Sequence, residues 1–412
     1  MSKFFAGLDI GTTKIACGIA QRDEQGNLRL IGVGTLDSQG VRRSRIANLN
    51  LVKPPLQAVI ANAMRMSRKR IGELMVGIGG EHIEMIVAQG ITTTDTGKFS
   101  YSHKIDAIES AIEHVRGAAE YKGRTVIHWE PLYFVVDEER QVDDPVGMTG
   151  RYLQAFTAVI TGQKGEVEDI KTLLSELEFE ITPKRFVAQP IAAGYGVLDP
   201  GEKEIGVTVI DIGGGTTSVA TYRKGGILDH IFTIPLGGTD ITNDIANGLG
   251  VPRDQAEDLK TTKGLAYAES LELDSDIETV DTGGKSKFIK QSDLAYIIQA
   301  RLEEILEKVY HELSQRIAID TLAGGIVLTG GTANLVGIDD LAKKVFKIQS
   351  VRIGMPKISG LTQYIDPKYA VMVGLLKLWD ELDKSHKFDE ERKTGLHSFG
   401  AKLKRWLESL FR

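Results

Sequence analysis

The sequence predicts an α/β protein made of two duplicated halves that face each other across a cleft. Three observations carry this. Two segments resemble each other 202 positions apart, FFAGLDIGTTKIACGIA from Phe4 and IGVTVIDIGGGTTSVATY from Ile205. Each runs from an apolar strand through Asp-Ile-Gly and small hydroxyl residues into a second apolar strand, the pattern of a β-hairpin. A third glycine loop, GIVLTGGTAN, spans Gly325–Asn334, and at 412 residues the chain exceeds one ordinary core.

The first hairpin places Asp9, Gly11, Thr12, Thr13 and Lys14 at its turn. The second places Asp211, Gly213, Gly214, Gly215, Thr216 and Thr217 at the equivalent turn. Glycines in a tight turn let backbone N–H groups converge on an anion, and the threonines add hydroxyl donors. Lys14 adds a positive charge for a phosphate. Asp9 and Asp211 are expected to face each other, where carboxylates suit a Mg²⁺ that keeps several waters while bridging phosphates. One Asp-Ile-Gly alone reads equally well as a strand end and a turn. Two in equivalent contexts read as a paired site.

In the third loop an apolar run, Ile326–Leu328, enters Thr329, Gly330 and Gly331, and helix-like sequence follows from Leu335. Glycines at such a turn let a flat adenine or ribose approach the backbone. Glu257 and Lys260 share a helix face at i and i+3. They read either as ribose and adenine ligands or as an ordinary surface ion pair.

Several classes are excluded. A single cysteine, Cys17, rules out a disulfide framework and a cysteine zinc site, and fits a reducing compartment. Asp9 interrupts the start before a signal peptide could form. The uncharged stretch from Thr321 to Ile338 holds five glycines and reads as a strand and a tight loop, not a membrane helix. A net charge of −6 argues against a nucleic-acid partner. Gly284-Lys285-Ser286 is no P-loop, because Thr279 stands where that motif needs glycine. His114, His128 and His311 are scattered and read as solvated or satisfied residues.

The C-terminus contrasts with the acidic whole. Phe399, Leu403, Trp406, Leu407, Leu410 and Phe411 form one apolar stripe on a helix over 398–412. Lys402, Lys404, Arg405 and Arg412 against Glu408 make it +3 (four minus one). Aromatic and basic residues in this arrangement are those of a helix lying on an anionic membrane. Docking on its own protein or in a partner's groove are the alternatives. The charged stretch from Asp380 to His397 reads as a flexible tether.

Asp9-x-Gly-Thr-Thr, Asp211-Ile-Gly-Gly-Gly-Thr-Thr and Leu328-Thr-Gly-Gly-Thr-Ala-Asn, in this order, resemble the two phosphate motifs and the adenosine motif of the actin, hexokinase and DnaK superfamily. Gln189-Pro-Ile-Ala-Ala-Gly resembles its first connecting helix and Tyr369-Ala-Val-Met-Val-Gly its second. Asp144-Pro-Val-Gly-Met-Thr-Gly, Pro235-Leu-Gly-Gly-Thr-Asp-Ile-Thr-Asn and Val351-Arg-Ile-Gly-Met-Pro extend the likeness, along nearly the full chain, to the FtsA family of bacterial cell-division proteins. The resemblance implies a duplicated actin-like (ribonuclease H-like) fold with an inserted α+β subdomain and a C-terminal amphipathic helix. It implies a first core subdomain over 1–84, 163–195 and about 364–384, and an insertion over 85–162. A second core would span 196–236 and 300–363, a small subdomain 237–299, a linker 385–397 and a membrane helix 398–412.

The same resemblance implies ATP and Mg²⁺ as ligands, with Gly238, Glu257, Lys260, Gly330, Gly331 and Asn334 around the nucleoside. It implies self-association into filaments on the inner membrane face, docking of the FtsZ C-terminal peptide on the small subdomain, and contact with later division proteins. Lys285, Lys287, Lys290 and Arg301 are the candidate peptide contacts, each also readable as a solvated charge. Gln189 stands where a relative would orient the attacking water. An amide is a poor general base, so firm ATP binding with slow or absent turnover is expected. A small-molecule kinase would need an acidic base in a sugar-binding loop, which is not found. A PilM-type pilus-assembly adaptor would not be expected to carry the tail. One departure stands out. After Gly40 the family more often has a glycine and an acidic residue, whereas this chain has Arg42, Arg43 and Arg45.

Overall fold

The computed structural model describes residues 3–179, 185–271 and 273–394, with 385–394 as helical backbone. The first half begins with β1 (Phe4–Ile10), β2 (Lys14–Arg22) and β3 (Leu28–Asp37), a short hairpin of β4 (Val41–Arg42) and β5 (Arg45–Ile46), then α1 (Leu49–Ser67) and β6 (Met75–Ile78). An inserted unit follows as β7 (Glu84–Thr93), α2 (Tyr101–Gly117), β8 (Arg124–Val136), β9 (Arg140–Val142) and β10 (Tyr152–Gln163). The chain returns through α3 (Lys164–Ser175) and β11 (Phe186–Ala188) to α4 (Gln189–Val197).

The second half holds α5 (Pro200–Ile205), β12 (Val207–Ile212), β13 (Thr217–Arg223), β14 (Ile227–Ile234), α6 (Gly238–Leu249) and α7 (Arg253–Lys263). It continues with β15 (Asp276–Val280), β16 (Ser286–Lys290), α8 (Gln291–Ser314), β17 (Ile326–Thr329), α9 (Ile338–Phe346), β18 (Val351–Ile353), β19 (Ser359–Gly360) and α10 (Ala370–Thr394).

The duplication is visible in the sheets. The first is ordered β11-β6-β1-β2-β3, with β19 added at the edge, and the second β18-β17-β12-β13-β14. In each, the first three strands are parallel and the last two antiparallel. Strands β1, β6, β12 and β17 are almost wholly buried, as parallel strands covered on both faces must be.

Helices α4 and α10 cross between the halves. Their close approach depends on glycine. A Cβ on Gly374 would stand 1.6 Å from the Ala192 carbonyl oxygen, and one on Gly196 would stand 2.2 Å from that of Ala370. The inserted unit has its own sheet, β7-β10-β8-β9, and its own core of Ile108, Ile112, Phe134 and Leu153 under α2. Strand β8 runs unbroken from Arg124 to Val136 although Pro131 stands within it. The ladder steps past Leu132, next to Pro131, so the proline bends the strand without ending it.

One expectation is corrected. The stretch from Asp380 does not leave the body as a tether, because α10 continues to Thr394. Asp380 and Asp383 are buried. Arg22 and Lys3 hold them, with Arg22 Nη1 2.7 Å from Asp383. Partners more than 350 positions away turn a charged run into a packed joint.

Candidate functional site

The two glycine turns meet at the cleft. Asp9 is the next-to-last residue of β1 and pairs with Gly77 of β6, while Asp211 is the next-to-last of β12 and pairs with Thr329 of β17. Each turn closes with the same bond, Gly11 N–H to the Lys14 carbonyl and Gly213 N–H to the Thr216 carbonyl, both 2.9 Å. The turns touch across the cleft. A Cβ on Gly214 would lie 2.4 Å from Thr13, and one on Gly215 2.5 Å from the Thr12 hydroxyl.

The cavity between them is lined by Asp9, Asp211, both turns, Lys14 and Gln189, with Gly330 and Gly331 on the second half's side. Sequence reasoning missed Ser44, Ser218, Pro367, Lys368 and Val371, which also line it. Ser218 directly follows the second turn motif, Val371 lies in the stretch resembling the second connecting helix, and Ser44 stands in the arginine-rich departure after Gly40.

Asp9 is fully engaged. Lys14 Nζ lies 3.2 Å from one carboxylate oxygen and Gln189 Nε2 3.0 Å from the other. Asp211 has no such donor among the described residues. Burial and, secondarily, the charge of Asp9 push its carboxyl up to about 7, with Lys14 opposing. Two carboxylates with one uncompensated form a donor set that a hard divalent cation fits. No group of three or more metal-ligating side chains occurs among the described residues.

The remaining candidates do not line this cavity. Thr217 points away, donating to the Leu236 carbonyl at 2.9 Å. Gly238 packs on the second turn, its N–H bonded to the Gly213 carbonyl at 2.9 Å. Lys260 is buried and reaches the Gly238 carbonyl at 3.1 Å, the Thr242 hydroxyl at 2.9 Å and Glu257 at 2.7 Å. The ordinary surface pair is thus excluded for Lys260, whose ammonium joins α6 to α7. Burial lowers its pKa, with Glu257 opposing. Asn334 donates to Asp366 at 3.0 Å.

The four basic candidates lie on or beside the small β15–β16 unit. Lys287 is held by the Leu249 carbonyl, Lys290 by Asp276 at 2.8 Å, and Arg301 by Asp244 and Glu304. Lys285 is exposed at the hairpin turn. Phe288 of β16 and Tyr296 of α8, not expected from the sequence, stand 68% and 65% exposed. The tail residues from Phe399 to Phe411 lie outside the described residues. Among the described residues no helix is long and apolar enough to cross a membrane.

Duplicated five-stranded sheets, paired phosphate-type turns and two crossing helices define an actin-like protein. The solved structures agree. The PilM–PilN type IV pilus biogenesis complex matches with a TM-score of 0.61 at 16% identity, covering 91% of this chain and 98% of that one. MreB5 of Spiroplasma citri bound to ADP matches with a TM-score of 0.57 at 17% identity, covering 93% and 98%.

Residues 208–374 match the family described as "Cell division protein FtsA", and residues 80–161 match the "SHS2 domain inserted in FTSA". FtsA of Neisseria meningitidis serogroup B is 31% identical over 99% of both chains. FtsA of Escherichia coli K12 is 31% identical over 99% of this chain and 98% of its own, and FtsA of Bacillus subtilis 32% identical over 91% and 83%. The chain belongs to the FtsA family, and its role is that of an actin-like cell-division protein.

Proposed function

We propose that this chain binds ATP with Mg²⁺ in the cleft, polymerises on the inner membrane face at the division site, and tethers FtsZ filaments there while recruiting later division proteins. The observation that carries the reading is the facing pair of turns with Asp9 and Asp211 at equivalent strand positions. Their N–H groups, hydroxyls and Lys14 suit a polyphosphate, and the uncompensated Asp211 suits its cation. Gly330 and Gly331 form the nucleoside side, with Gly238, Glu257 and Lys260 behind the second turn and Asn334 held by Asp366.

Gln189 is a poor engine for hydrolysis. Its amide N–H binds Asp9, and its oxygen lies where a side chain on Gly79 would stand. Slow turnover is expected, because the amide N–H is taken by Asp9 and an amide oxygen is a poor general base.

Membrane attachment rests on the basic, aromatic stripe of 398–412. Arg65, Arg68, Lys69 and Arg70 add charge, and they form no ion pair among the described residues. Lys69 sits over the Phe4 ring. A single tail binds weakly, and a filament multiplies it by avidity. Docking of the FtsZ peptide is assigned to the small subdomain, where Lys285 offers charge and Phe288 and Tyr296 offer apolar surface.

Sedimentation with anionic vesicles and ATP tests the reading. Filaments should form on lipid and disappear when residues 398–412 are deleted. Trp406→Glu should abolish vesicle binding and leave ATP affinity intact. A phosphorylated metabolite with indifference to lipid would instead identify a kinase.

A further inference from the structure

The arginine-rich segment after Gly40 folds into the β4–β5 hairpin, which pairs Val41 with Ile46 and Arg42 with Arg45. Its two-residue turn puts Arg43 at φ 49° and Ser44 at φ 59°, the left-handed conformation of a type I′ turn. That turn favours Asn-Gly, so an Arg-Ser pair is under strain, and such strain is a pointer to function.

Ser44 is where the strain leads. Its N–H donates to the Thr12 hydroxyl at 2.9 Å, and its own hydroxyl lies 2.9 Å from that of Thr216. One residue thus touches both phosphate-type turns, one from each half. Ser44 also sits beside Gln189. A Cβ added to Gly79 would meet Ser44 Cβ at 3.3 Å and Gln189 Oε1 at 1.8 Å. The hairpin is braced from behind by Arg45, which donates to Glu166 at 2.8 Å and to Gln163 at 3.2 Å. Gln163 ends β10, so the brace stands at the root of the inserted unit.

We propose that Ser44 is a ligand for the terminal phosphoryl group of a bound nucleoside triphosphate, so that the hairpin makes the cleft distinguish a triphosphate from a diphosphate. The proposal rests on the nucleotide reading above. The Ser44 and Thr216 hydroxyls satisfy each other across the cleft, and an anion entering there accepts from both. A diphosphate, held by the glycine turns, stops short of Ser44.

Competition of ATP and ADP against a fluorescent nucleotide on the full chain tests it. Ser44→Ala and Ser44→Gly should weaken ATP binding by about tenfold or more, the worth of one hydrogen bond to a charged acceptor, and change ADP binding by less than about twofold. The glycine variant suits the left-handed turn and guards against a folding failure of the alanine variant. An ATP-to-ADP ratio unchanged in Ser44→Gly overturns the proposal, as does a wild-type chain that binds both equally. A wild-type chain that binds neither nucleotide overturns the nucleotide reading itself.

Discussion

Asp211 should make the nucleotide-free protein less stable as pH rises. Its folded pKa of about 7 exceeds the ordinary 3.8. Between those values the folded chain keeps a proton that the unfolded chain has released. Stability is therefore lost as pH rises from about 4 to about 7, and the loss persists above. A gap of about three units at about 1.36 kcal/mol each gives about 4 kcal/mol as a ceiling. Asp211 is partly open to the cleft, and water there screens its charge, so about 1–2 kcal/mol is expected. Asp211→Asn removes the charge and nearly keeps the shape. Urea unfolding without nucleotide should show the variant equal to wild type near pH 4 and about 1–2 kcal/mol more stable at pH 8. The same variant should bind Mg²⁺-ATP more weakly, since stability is gained where a ligand contact is lost. An Asn variant less stable at pH 8, or a difference independent of pH, would refute the reasoning.

Two further substitutions test the frame. Gly374→Ala places a methyl against the Ala192 carbonyl, so α10 must retreat from α4, and thermal or urea unfolding should show a loss of about 3 kcal/mol or more. A loss below about 1 kcal/mol would mean that the helices do not cross this closely. Lys260→Met keeps the length but strips the clip between α6 and α7. It should cost about 1–3 kcal/mol and weaken ATP binding, and an unchanged urea midpoint would count against a structural role for the ammonium.

What could be read without the fold was local chemistry. The paired turns were legible because the residues that shape each one lie within a few positions of each other. Glycine is needed where the backbone turns tightly, so the turns at Asp9–Lys14 and Asp211–Thr217 announce themselves in order. The connecting helix at Gln189 was legible only through its resemblance to the family's motif.

Lys260 was not. At i and i+3 from Glu257 it looked like a solvated pair, and only the packing of α7 on α6 buries it against Gly238. Asp380 and Asp383 looked like the start of a tether until β2 and the N-terminus supplied Arg22 and Lys3. Ser44 carried no signal of its own, being a serine between arginines.

The duplicated architecture, the form of the two turns and the family follow from short runs of residues with a required backbone geometry. Tertiary structure alone decided which charges are buried, where α10 is anchored, and that a strained hairpin delivers a hydroxyl between the two turns. Those outcomes depend on partners dozens to hundreds of positions away, brought together only when the sheets stack and the helices cross.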